Sequence, residues 1–248
     1  MANGGAQPTR EIAGQNTLFT RTMHDMAYDP VRDEIVVPQF YAFAVLTFRG
    51  DANGNVPPIR KIFGPSTQLQ HPMALAVDWI HGEIFVPQND RILVFPRDAD
   101  GDTAPLRIIG GENSGLRASR VTVDPVHDLV IVSGNGLTIY DRTASGMAKP
   151  RAFISSEAAR EASLLTTNPE SGMIFASVRP GGRYRAEDYV GVWSIYDKGN
   201  APPRYTIGGP NGLLKDARGI AVDAKNKNVI VSDKSLNAIL TFHLPEAF

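Results

Sequence analysis

The sequence contains no cysteine, so neither disulfide staples nor thiol chemistry is available to it. That absence leaves the compartment open, because a fold closed by strand pairing needs no covalent staple. No run of 18 apolar residues occurs, which excludes a helical membrane span. The first ten residues, MANGGAQPTR, lack the apolar core of a signal peptide. Formal net charge is −1 with both signs mixed along the chain, so no basic stripe for nucleic acid is expected. Apolar residues at helical spacing are nearly absent too. Only SSEAAREASLL (155–165) reads as a helical turn.

What is present is repetition. Residues 71–111 read as four short strands, MALAVD, EIFVPQ, RILVF and PLRIIG, each separated from the next by a turn signal. Aligning the chain on the acid ending the first strand gives Asp29, Asp78, Asp124, Asn168 and Asp223. The intervals are 49, 46, 44 and 55 residues, and passing from Asp223 through the termini to Asp29 takes a further 54. Such a period indicates propellers, solenoids or arrays. Four strands per period with Gly and Pro at the joints selects the propeller. The expectation is an all-β, five-bladed propeller, four antiparallel strands per blade, with residues 1–248 as one domain.

The termini sharpen this reading. ANGGAQPTREIAG (2–14) matches ANGNVPPIRKIFG (52–64) in spacing, while NAILTFHLPEAF at the other end stops after a third strand. Residues 8–14 are therefore expected to pair with residues 236–243 as the missing fourth strand of the last blade. Closure of that kind leaves no bare edge to aggregate.

HPMALAVD (71–78) and DARGIAVD (216–223), followed by GEIFV and NVIVSD, resemble the NHL repeat. The resemblance covers nearly the whole chain, but MHDMAYD, SRVTVD and SLLTTN depart from the family pattern by lacking its Pro and Gly. It implies a β-propeller acting as a binding platform. Some members of that family and its relatives are metal-dependent lyases or hydrolases. Most have six blades, where five are counted here.

Features shared by every blade read as architecture. Arg10, Arg60, Arg107, Arg151 and Arg204 recur in one register, as expected of charges guarding a sheet edge. DADGD (98–102) spaces three acids two apart, but the further Glu of a calcium loop is missing.

Function is sought where the blades differ, in the loops around the channel mouth. There Asp25 and Arg120 fall four positions before the anchoring acid, His24 and Arg218 one position earlier, and His71 two further out with Arg117, Glu161 and Asp216. Facing the mouth, His24, Asp25, His71, Arg120 and Arg218 are expected to form a mixed-charge rim. Blade four carries a long insertion (178–193) bearing Arg183, Tyr184 and Arg185, residue types that interfaces favour. Phe40 and Tyr41 are expected near the mouth as well.

Chemistry is harder to assemble. Two histidines fall short of the three protein ligands usual for catalytic zinc, and Asp25 alone cannot supply a glycosidase pair. No catalytic residue, metal or cofactor is assigned. The expected function is a monomeric binding module that takes a protein segment or a small polar ligand at the mouth, with neither nucleic acid nor membrane as partner. The alternative is a metal-assisted hydrolase or lyase using His24, Asp25 and His71. A sugar-binding ring with one site per blade would repeat its polar and aromatic residues in every blade, which the upper loops do not do.

Overall fold

The computed structural model describes residues 7–181 and 188–248. Among them lie five antiparallel sheets, each meandering in sequence order from the inside outward. Sheet one contains β1 (Ala27–Asp29), β2 (Glu34–Gln39), β3 (Ala44–Arg49) and β4 (Arg60–Ile62). The second contains β5 (Ala76–Asp78), β6 (Glu83–Gln88), β7 (Arg91–Pro96) and β8 (Arg107–Gly110). The third is β9 (Arg120–Asp124), β10 (Leu129–Ser133), β11 (Leu137–Asp141) and β12 (Ala152–Ile154). The fourth is β13 (Ala162–Asn168), β14 (Met173–Val178), β15 (Tyr189–Ser194) and β16 (Tyr205–Gly208). The last has three strands, β17 (Ala217–Asp223), β18 (Asn228–Asp233) and β19 (Ala238–His243). The chain is a five-bladed β-propeller. Its one α-helical turn among the described residues, α1 (Glu157–Arg160), falls within the segment the sequence marks for it.

The repeated acid works as a turn former. Asp78 Oδ1 accepts the Ile80 and His81 amides (3.0 and 2.9 Å), and Asp29, Asp124, Asn168 and Asp223 cap their turns in the same manner. Those bonds fix the hairpin between the first two strands. Asp29, Asp78 and Asp124 have no exposed surface, so their second oxygens also need partners. His81 and His127 supply them for Asp78 and Asp124 at 2.8 and 2.9 Å. For Asp29 the partner comes from the next blade, where Arg97 Nη1 donates at 2.6 Å.

Blades are joined sideways by two devices. One is apolar: Val36, Val45 and Ile62 of blade one pack against Leu75, Val77 and Ile84 of blade two, and similar clusters join blades two to three, three to four and four to five. The other is a backbone bridge from the fourth strand of blades one, two and three to the glycine of the following blade's third-to-fourth turn: Ile62–Gly101, Ile109–Gly146 and Ile154–Gly199. Only glycine takes the positive φ of that turn without strain, +65° at Gly101. The acids of DADGD serve the same joint. Asp100 and Asp102 accept the Lys61 and Ser66 amides (2.8 and 2.7 Å), and Asp98 pairs with Arg32.

The recurring arginines are tethered rather than free edge charges, which corrects the guarding role expected of them. Arg107 grips Glu83 with two bonds (2.5 and 2.8 Å), Arg60 pairs with Glu34, and Arg204 with Asp197 at 2.6 Å. Arg151 meets Asp141 at 3.2 Å, and Arg10 donates to the Gly50 carbonyl.

The seam between blades five and one differs from the sequence expectation. Residues 8–14 do not pair with β19. Instead Ile12 bridges Gly54, and Asn53 and Asn55 accept the Glu11 and Asn16 amides (3.0 and 2.8 Å). These are the contacts that β4 makes with the turn of blade two. A fourth strand thus has two separable partners, the next blade's glycine turn and its own third strand, and residues 8–14 hold only the first. Ile239 of β19 is 75% exposed, whereas its equivalents Val45, Ile92, Leu137 and Val190 are 0% exposed. Met26 and Tyr28 on the facing side of blade one are exposed as well.

Arg97→Ala should leave the Asp29 carboxylate buried without its cation, at a cost of about 3 kcal/mol in urea unfolding. Arg151→Ala, which breaks an exposed pair, should change stability by less than about 1 kcal/mol.

Candidate functional site

The loops entering the first strands and those joining second to third strands meet around the channel and enclose a funnel of about 1550 Å³. All five blades contribute to its wall. Side chains ending the second strands hold the incoming loops in place. Gln39 Oε1 accepts the Thr20 amide at 2.8 Å, Gln88 accepts that of Gln70, and Asp233 Oδ2 accepts those of Lys215 and Asp216 (2.6 and 3.0 Å). The same register that lays down the sheet therefore also fixes the mouth.

His24, His71, Arg120 and Arg218 all line this funnel. His71 lies 4.5 Å from Phe40 and 4.5 Å from Phe43, centre to centre, while His24 meets the edge of Phe40 at 5.7 Å. Phe40 thus touches both histidines and makes an aromatic shelf of that wall. Tyr41 meets Phe40 edge to face at 4.9 Å and receives Arg21 over its ring at 4.7 Å. Among the described residues, no three side chains of His, Asp or Glu converge as a metal site would require.

Asp25 stands one residue along from His24 and reaches across to blade two, where its Oδ2 accepts the Leu75 amide at 3.3 Å. Its Oδ1 accepts the Met26 amide at 2.9 Å. Burial dominates its titration and pushes the carboxyl up to about 6, against the opposing pull of the two amides and of Arg120.

On the other side, Arg179 spans blades four and five. It approaches Asp188 Oδ2 at 3.6 Å and Asp216 Oδ1 at 3.4 Å, and it donates to the Ala217 carbonyl. Arg218 Nε meets Asp216 Oδ1 at 2.9 Å. Asp188 is buried and accepts the Ala217 amide at 3.0 Å; burial raises its carboxyl above the usual range. Arg183, Tyr184 and Arg185 lie outside the described residues.

Among the funnel's cations Arg91, Arg160 and Lys234 escape the sequence reading, the last two being the exposed ones. Arg160 ends α1, whose N-cap Ser156 accepts the Ala159 amide. Lys234 opens the second-to-third turn of blade five, so neither shares the register in which the rim was sought.

No family model matches the sequence, and no curated protein matches it either. Solved structures do. Hydrazine synthase of Kuenenia stuttgartiensis superposes with a TM-score of 0.61 at 11% identity, over 92% of this chain and 58% of that one. The Cps50 (Swd1) β-propeller domain of Myceliophteria thermophila gives 0.61 at 10% identity, over 90% of this chain and 65% of the other. The chain therefore spans less than two thirds of either. At such identity the likeness is one of fold.

Asp25→Asn tests the electrostatics of the channel. The native carboxyl holds its proton up to about pH 6, while the unfolded one releases it near pH 4, so ionisation costs stability progressively between those values and fully above them. The variant should be about 1–2 kcal/mol more stable than the parent in urea unfolding at pH 7.5, and no more stable below about pH 4.

Proposed function

We propose that this chain is a binding module whose ligand enters the funnel at the channel mouth, in keeping with the platform role that the NHL resemblance implies. The observation carrying this reading is the lining. Every blade has the same scaffold, yet the funnel walls differ from blade to blade, with Phe40, His24 and His71 over blades one and two and arginines over blades three to five. A rigid symmetric ring with one asymmetric face suits selective binding of a single partner.

The module would act as a monomer, its ring completed by residues 8–14 adding to β19. Two facts support that completion. The segment already occupies the sideways joint of a fourth strand, and the position it would cover, Ile239, is apolar and exposed in this blade alone.

Methionine methyl groups report on the site directly. Met23 and Met73 line the funnel, whereas Met147 and Met173 do not. With methyl-labelled methionine, titration of a panel of short peptides and small polar compounds should shift the Met23 and Met73 resonances for those that bind and leave Met147 and Met173 in place. Binding that moves only the latter pair would refute the funnel as the site.

A further inference from the structure

The charge of the funnel is unlike that of the chain. The whole protein carries a formal −1, yet the funnel wall has seven Lys and Arg side chains (91, 117, 120, 160, 179, 218 and 234) against Asp90 and Glu161. Several of these cations are already used. Arg91 is bound twice by Asp90 at 2.9 and 3.1 Å, and Asp216 holds Arg218 and approaches Arg179. Among the described residues no ion pair or side-chain hydrogen bond engages Arg117, Arg160 or Lys234, and all three are exposed. These three stand on blades three, four and five, on the wall opposite the shelf of Met23, Phe40 and Met73. A concave wall of one sign focuses potential and favours counter-charge there over the rest of the surface.

Resting on the funnel as the binding site, we propose that its ligand is an acidic protein segment carrying an apolar side chain. Carboxylates face Arg117, Arg160 and Lys234, and the apolar group lies on the Met23–Phe40–Met73 shelf. Size and shape argue for a segment. At about 1550 Å³ the funnel exceeds the ~300–1,000 Å³ of pockets that enclose a small molecule. A nucleic acid backbone would need cations along an extended path, whereas these are confined to one arc of a mouth. Arginine beside aromatic and methionine surface is also the composition that protein interfaces enrich. Selectivity then comes from both halves: charge brings acidic segments in and the shelf retains those with a matching apolar residue.

The test is fluorescence anisotropy with three labelled peptides: Glu-Asp-Glu-Asp-Gly-Leu-Phe, the same peptide with lysine in place of each acid, and the acidic peptide with Gly-Ser replacing Leu-Phe. The first should bind most tightly, and its affinity should fall about tenfold or more in the R117E/R160E/K234E variant and several-fold in F40A. Arg117, Arg160 and Lys234 are exposed and Phe40 is half-buried, so circular dichroism with thermal unfolding checks that the variants fold. Equal affinity for the lysine peptide, equal affinity of the triple variant, or citrate binding as tightly as the first peptide would each overturn the proposal. The labelled methionines separate this failure from that of the site itself. A lysine peptide that shifts Met23 and Met73 removes the acidic assignment and leaves the funnel standing. An acidic peptide that shifts only Met147 or Met173 removes the funnel.

Discussion

From blade one through blade four, each blade is fastened to the next by the glycine of a third-to-fourth turn bonded to the fourth strand of the blade before it. At Gly101 the bond runs both ways, its amide to the Lys61 carbonyl (2.8 Å) and its carbonyl from the Phe63 amide (3.0 Å). Gly146 and Gly199 repeat the exchange with β8 and β12. Apolar packing between blades is larger in area but has no direction. The bridge supplies direction and sets the register in which each fourth strand lies against its neighbour. Everything nearer the channel inherits that register, because the loop leaving the fourth strand becomes the wall of the funnel.

Ionic contacts extend the same joint on the opposite face. Arg142 of blade three reaches Glu83 at 2.8 Å and Asp78 at 3.5 Å, both in blade two, as Arg97 of blade two reaches Asp29 in blade one. At the later joints the pattern lapses. Ile195 and Leu244 take the place of these arginines, and Ser171 Oγ instead donates to the Ala247 carbonyl near the C-terminus. Blades one to three are thus joined by buried charge on this face, whereas blades four and five meet there through apolar contact, including Phe175 against Phe248 at 5.6 Å, and through Arg179 and Asp188 at the mouth.

Much of this was legible in the sequence, for reasons that can be named. The anchoring acids recur because a hairpin turn needs an acceptor at that place, so their spacing counts the blades. His24, His71, Arg120 and Arg218 reach one funnel because each lies on the loop entering a first strand, and the repeat brings those loops to one end of the channel. Arg160 and Lys234 were missed because they come from other slots, the end of a short helix and a second-to-third turn. The tethering of Arg60 and Arg107 was also hidden, since Glu34 and Glu83 lie two strands away and no periodicity links them. Residues 8–14 were half legible. Their match to 52–64 encodes the joint with Gly54, and that joint forms. The same match suggests a pairing with β19 that is absent from the sheet, because a likeness between two segments does not set the distance between the blades on either side of them.

The proposed addition of residues 8–14 to β19 is the step that would give the fifth blade its fourth strand and seal the seam with blade one. By register Ile12 would lie opposite Ile239, as Ile62 lies opposite Val45 and Ile109 opposite Ile92. A double-mutant cycle of Ile12→Ala and Ile239→Ala in urea unfolding measures that contact directly. A completed blade predicts a coupling energy of about 1 kcal/mol or more, with Ile239→Ala alone costing about 2 kcal/mol or more as a buried residue would. Additivity within about 0.3 kcal/mol, together with a near-neutral Ile239→Ala, would contradict it.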